Sequence, residues 1–249
     1  MTDHALAEPI ELPADTPRRK TRAKGEKSRQ AILTATMAVI AKRGLPAVTH
    51  RAIATEAGVP LSLTTYFFTS LQDLIEQTFD HFISVTASDN GQLLNQIAAY
   101  RERYQPEQLR SPQTLREVHR EVSQALSDFI LMMSAKHSVS IAVELNYLHL
   151  FRHNPALTAK VSAYRERQVS RIADLLRPYA PEQPEVDASL VLGLIHRLEF
   201  DCINRPDAMP RAQVEAEMAR LVAFVLKVPA ESQAETRNNR HEPAELLAG

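Results

Sequence analysis

The chain has 249 residues, 44 % hydrophobic and 24 % charged, with a net charge of −1, one cysteine and no tryptophan. Such a composition is that of an ordinary globular protein, with room for one large domain or two smaller ones. It excludes an intrachain disulfide framework, and no apolar run approaches the roughly 18 residues that cross a bilayer. Residues 1–17 are acidic and proline-bearing, without the basic and apolar regions of a signal peptide, so a reducing cytoplasm is the expected compartment.

Six glycines stand against fifteen prolines, and no strand-like alternation exceeds about four residues. The expected fold class is all-α. Charge is distributed unevenly. Between Arg18 and Ser70 ten basic residues face only Glu26 and Glu56, a local charge of +8, so the remainder carries −9. A basic N-terminal fifth on an acidic body is the footprint of a polyanion-binding module.

In chain order, residues 1–23 read as a disordered arm ending in a cationic cluster. A helix is expected from about Gly25 to Arg43, with Ile32, Ala35, Val39 and Ile40 at helical spacing and Gly44 as its stop. Thr49 caps a short helix over residues 50–57, and Gly58 closes it, on the expectation that a Cβ would clash in the tight turn. A third helix runs from Leu61 to Phe67, with Pro60 near its first position. Ser70, with Asp73 three residues on, opens a fourth helix to about Thr86. Three short helices with a three-residue link between the second and third form a helix-turn-helix, placed directly after seven cations.

Ala57-Gly58-Val59-Pro60-Leu61 followed by Tyr66-Phe67-Phe68-Thr69-Ser70-Leu71-Gln72-Asp73-Leu74 resembles the signature of the tetracycline-repressor (TetR/AcrR) family of bacterial transcriptional regulators. The resemblance extends over about residues 24–79. It implies a three-helix DNA-binding domain at residues 24–70, then a helical ligand-sensing and dimerisation domain at 71–228, with a disordered tail from 229 to 249. It also implies a homodimer, a palindromic double-stranded DNA operator and a small-molecule effector, with no cofactor, metal or membrane. The expected function is a repressor released by its effector; the alternative is a ligand-independent activator or architectural DNA-binding protein. Leu71 and Phe67 stand where many members carry lysine and a polar phosphate contact, so the basic arm is expected to compensate.

In this motif the recognition helix enters the major groove. The expected DNA-binding residues are Arg22, Lys24 and Lys27 in the basic segment and Thr49 and Arg51 at the second helix N-terminus. On or beside the third helix they are Pro60, Leu61, Ser62, Leu63, Thr64, Thr65, Tyr66 and Phe67, while Phe68 is expected to anchor that helix in the core.

Further helices are expected near 92–104, 113–135, 138–153, 156–179, 186–204 and 210–227. Residues 188–195 are apolar nearly all round, which predicts a buried helix, and with 156–179 it is the expected dimer-forming pair, Gly193 allowing close approach. Met132, Met133, Tyr147, Phe151, His196 and Glu199 are polar or polarizable groups within apolar helices and are the expected effector-binding residues. His149 and His153 are four apart, but no further ligand accompanies them, and no metal site is expected. Cys202 has no adjacent cation and reads as a core thiol. No phosphate-cradling glycine loop, nucleophile elbow or Cys–His pair is present, so no enzymatic activity is expected.

Overall fold

The structure, a computed structural model, describes residues 17–104, 107–108, 111–150, 154–179 and 181–228. The described residues form nine α-helices: α1 (Pro17–Arg43), α2 (His50–Ala57), α3 (Leu61–Phe67), α4 (Leu71–Glu102), α5 (Pro112–Lys136), α6 (Ser138–Leu150), α7 (Pro155–Leu176), α8 (Pro184–Asn204) and α9 (Arg211–Val225). No β-strand occurs among the described residues, and the all-α expectation holds. No helix among them is long and apolar enough to cross a membrane. Two compact units divide the chain, one within residues 1–83 and one within 84–249.

In the first unit α1 packs on α2 and α3, and α2 on α3. Ile32, Leu33, Val39 and Ile40 of α1 are buried, with Ile53 of α2 and Phe68 just beyond α3; Leu74, Phe79 and Phe82 of α4 are buried in the same unit. The turns follow local rules. The Thr49 side chain accepts the Ala52 N–H at 3.1 Å, and the Gly58 N–H returns to carbonyls at the end of α2. The expected reason for Gly58 is corrected: a Cβ there would meet no atom within 4 Å, but the backbone sits at φ +63°, the left-handed region that costs other residues energy. At the start of α4 the Asp73 N–H donates to Ser70 Oγ at 3.0 Å, and the Asp73 carboxylate accepts the Thr69 N–H at 2.9 Å. Hydrogen bonds from Gln77 and from Thr69 hold the Asp73 carboxyl below its ordinary range.

Two helix boundaries differ from expectation. α1 starts at Pro17 rather than Gly25: proline is free at a helix start, and one interior glycine costs only about 1 kcal/mol. α4 runs unbroken through Asp89, Asn90 and Gly91 to Glu102, merging the helices expected to stop at Thr86 and restart at 92. Leu93 and Ile97 pack against the second unit's core beyond that glycine, so the buried face continues across it.

In the second unit α5 packs along α9, α7 along α8, and α8 also touches α5, α6 and α9. Leu126 and Ile130 of α5, Val191 and Leu198 of α8, and Met218 and Val222 of α9 belong to one core. Asn154 caps α7 by accepting the Leu157 N–H at 3.1 Å, with Pro155 as its first residue. The reading of α8 as buried all round is corrected. Ala188, Leu192, Ile195 and Leu198 are inside, but Val186, Leu190, Gly193 and Phe200 are exposed. A Cβ built at Gly193 would meet no described atom beyond its chain neighbours and its own helix backbone within 4 Å.

Candidate functional site

The first candidate surface is the outer face of α3. Leu61, Ser62, Thr65 and Tyr66 are exposed there, Leu61 at 46 % and Tyr66 at 77 %. Leu63 and Phe67 are half-buried, and the Phe67 ring meets Tyr66 edge-on at 5.0 Å. Pro60 precedes the helix and is exposed. Thr64 departs from expectation. It is completely buried, donating to the Leu61 carbonyl at 2.8 Å and meeting His50 Nδ1 at 3.1 Å, so it ties α3 to α2 and is not presented to a ligand. The reason is helical period: Thr65, Ser62 and Tyr66 lie within one arc of the helix, and Thr64 falls on the side away from them, against His50 of α2.

Around α3 the cations divide into two kinds. Lys24, Lys27, Arg43 and Arg51 are exposed, with Thr49 beside Arg51 at the N-terminus of α2. Arg29 and Lys42 are instead engaged in the fold. Arg29 bonds Gln77, lies 3.7 Å from Glu26 and sits 5.8 Å over the Phe68 ring, while Lys42 pairs with Glu56 at 2.7 Å. The Arg22 side chain lies outside the described residues.

The second candidate lies inside the C-terminal unit. Glu144 Oε1 of α6 accepts from the Tyr164 hydroxyl at 3.1 Å and from Gln168 Nε2 at 3.3 Å, both on α7, and lies 3.4 Å from His196 Nε2 on α8. Glu199, one turn from His196, is only 5 % exposed and has no hydrogen-bond or ion-pair partner among the described residues. Burial and the charge of Glu144 push its carboxyl well above the ordinary value, and burial with the same glutamate pushes the Tyr164 phenol up. Gln168 Oε1 is buried without a partner as well. Of the residues expected to bind an effector, His196 and Glu199 join this cluster; Met133 and Tyr147 are buried and Met132 half-buried in the same unit. Phe151 and His153, and the His149 side chain, lie outside the described residues. Cys202 is half-buried, and burial raises its thiol pKa, as a core thiol requires. A separate open cleft of about 740 Å³ between α5 and α9 is lined by groups of both signs, among them Arg116, Glu117, Arg120 and Glu215.

Residues 32–78 match the family model described as "Bacterial regulatory proteins, tetR family". No curated protein matches the sequence. Among solved structures, a transcriptional regulator from Rhodococcus sp. Rha1 is 17 % identical with a TM-score of 0.61, covering 82 % of this chain and 100 % of its own. A protein described as a TetR-family transcriptional regulator from Mesorhizobium loti MAFF303099 is 16 % identical with a TM-score of 0.57, covering 82 % and 98 %. A transcriptional regulator from Saccharomonospora viridis in complex with choline is 17 % identical with a TM-score of 0.59, covering 79 % and 96 %.

Residues 32–78 are thus similar to the N-terminal domain of the TetR family of bacterial regulatory proteins. The matched segment spans the C-terminal part of α1, all of α2 and α3 and the start of α4, the residues that hold the exposed α3 face in place.

In the C-terminal unit the sequence reading missed Glu144, Tyr164 and Gln168. Their signal was present: Glu144 is a lone acid in the apolar run 141–145, and Tyr164 and Gln168 are one turn apart on α7. Nothing local showed that α6, α7 and α8 bring them together.

Proposed function

We propose that the chain is a homodimeric repressor that binds a palindromic double-stranded DNA operator and is released by a small-molecule effector. The observation that carries the DNA part is the exposed face of α3, on which Leu61, Ser62, Thr65 and Tyr66 protrude from a helix locked by Thr64, His50 and Phe68. Leu61 suits a thymine methyl. Thr65 donates to the Ser62 carbonyl at 3.1 Å, which leaves its lone pairs to accept from a cytosine or adenine amine. Arg51 and the backbone N–H groups at the start of α2 suit phosphates, as do Lys24 and Lys27.

The dimer reading is supported by α8. Val186, Leu190, Gly193, Arg197 and Phe200 follow one another at spacings of four and three, and all are exposed. That is the seam of a two-helix contact, with Gly193 allowing close approach. Phe224 adds an exposed apolar ring on α9, while the exposed side of α7 carries Arg165, Glu166, Arg167 and Arg171. The seam therefore favours α8 with α9 over the α7–α8 pair expected from sequence. Release by an effector rests on the incompletely bonded cluster of the C-terminal unit, whose ligand would shift the dimer toward a state with mismatched recognition helices.

The test is fluorescence anisotropy with DNA from the gene's own upstream region across a salt series, alongside light scattering. Saturable binding of a dimer to one palindromic segment, weakening with salt, is expected; equal weak binding to all sequences would leave a non-specific DNA-binding protein. Leu190→Glu is expected to give a folded monomer with at least about tenfold weaker operator binding.

A further inference from the structure

We propose that the Glu144–Glu199 cluster is a recognition site for a positively charged nitrogen, so that the effector is an organic amine or quaternary ammonium compound. This rests on the effector-controlled reading above. The site is built from three helices: Glu144 on α6, Tyr164 and Gln168 on α7, His196 and Glu199 on α8. Every hydrogen bond drawn within it ends on one carboxyl oxygen, Glu144 Oε1, or on the Tyr164 oxygen that donates to it. Two groups are left over: Gln168 Oε1 is buried without a partner, and the Glu199 side chain, buried as a residue, takes part in none of the hydrogen bonds or ion pairs among the described residues.

Buried polar atoms normally find partners; Gln168 Oε1 is an unmatched acceptor and the Glu199 carboxyl becomes a second when its proton leaves, so the cluster is complementary to a cation that displaces that proton. Among the described residues no lysine or arginine is bonded to these groups. Arg167, the cation that acts on Tyr164, is exposed on α7. Glu144 and His196 keep 13 % and 12 % side-chain exposure, so the cluster is not sealed. Tyr164, whose hydroxyl reaches Glu144 Oε1, brings an aromatic side chain to the cluster, a group that ammonium ions favour.

Occupancy has a chemical consequence. In the unliganded chain burial and the charge of Glu144 keep the proton on Glu199. A bound cation favours the carboxylate, so the proton leaves Glu199 for solvent as the ammonium enters. The groups that share this balance are Glu144 on α6, Tyr164 and Arg167 on α7, and His196 and Cys202 on α8. Affinity for a permanently charged ligand therefore rises with pH until Glu199 is ionised in the free protein.

The experiment is calorimetric titration of the full chain with two permanently charged probes and their neutral carbon isosteres: choline against 3,3-dimethylbutan-1-ol, and benzyltrimethylammonium against neopentylbenzene. Buffers of different ionisation enthalpy count the released protons. At least one cation is expected to bind at least about tenfold more tightly than its isostere, with proton release, and Glu199→Gln is expected to abolish both differences. Melting curves confirm that the isosteric variant remains folded, and Glu144→Gln serves as the second variant. Equal binding of cation and isostere, unchanged cation binding in Glu199→Gln, or no cation binding by a chain that still binds its operator would each overturn the proposal. A cation that binds without altering operator affinity leaves this site standing and removes the release mechanism instead.

Discussion

In the N-terminal unit the buried hydroxyls of Thr36, Thr64 and Thr78 donate to the carbonyls of Ile32, Leu61 and Leu74 at 2.8, 2.8 and 2.7 Å. In the C-terminal unit Gln168 Oε1 and Ser123 Oγ are buried with no partner, and the buried Glu199 side chain takes part in none of the hydrogen bonds or ion pairs among the described residues. The first unit spends its polar groups on fixing a shape, which a surface that must match the spacing of DNA groups requires. The second keeps costly polar groups open, and such groups persist where a function uses them. A reader of DNA is best rigid before it binds, whereas a site that responds to a ligand needs free energy that only the ligand recovers.

The largest expected effect breaks the rigid side of this comparison. Phe68→Ala removes a ring that is almost fully buried and lies under Arg29, at a cost of about 3–5 kcal/mol. A unit of this size has little stability beyond that. Loss of DNA binding is expected, with hydrogen-exchange protection lost over α1–α3 and kept over α5, α8 and α9. Protection lost equally in both units would show that they do not differ in the way described.

Glu199→Gln tests the other side, and its sign is opposite. The native Glu199 carboxyl holds its proton to a higher pH than in the unfolded chain, so its share of stability is complete below about pH 4.3 and lost as pH rises through the folded-state value. Glutamine has no proton to lose. The variant is therefore expected to be more stable than the wild type by about 1–3 kcal/mol at pH 8 and nearly equal at pH 4, by urea unfolding at both. A variant less stable at pH 8 would mean that Glu199 is held by interactions that glutamine cannot replace.

Gly58→Ala is a smaller perturbation of the first unit. Since no atom lies within 4 Å of the added Cβ, the cost is the left-handed backbone alone, about 1–2 kcal/mol by thermal melting, and Gly58→Asn is expected to recover part of it. A cost above about 3 kcal/mol would restore the steric explanation expected from the sequence.

These variants also mark what was legible in the sequence. The caps at Thr49 and Ser70 and the stop at Gly58 are decided within four residues, so the DNA-binding motif could be read directly. The inward turn of Thr64 was legible too, had the helical period been weighed against the chemistry of threonine. The α4 boundary was not, because its continuation through Gly91 is set by packing of Leu93 and Ile97 on distant helices. The same holds for Glu144 and for its association with Glu199, a residue that was named from sequence but lies 55 positions away and is reached only because α6 and α7 both pack on α8.

The smallest expected change in stability is also the sharpest test of the exposed face. Tyr66 is 77 % exposed and touches Phe67 edge-on, so truncation removes little buried area. Tyr66→Ala is expected to alter stability by less than about 0.5 kcal/mol. Its operator affinity should nevertheless fall about tenfold, because an exposed tyrosine on a recognition helix holds the helix against the DNA backbone. If that contact is to phosphate, the loss is similar on operator and unrelated DNA; if it is to a base, the operator alone is affected. Unchanged binding to both would place the DNA contacts nearer Leu61 and Ser62, at the N-terminal end of α3, and leave Tyr66 outside the interface.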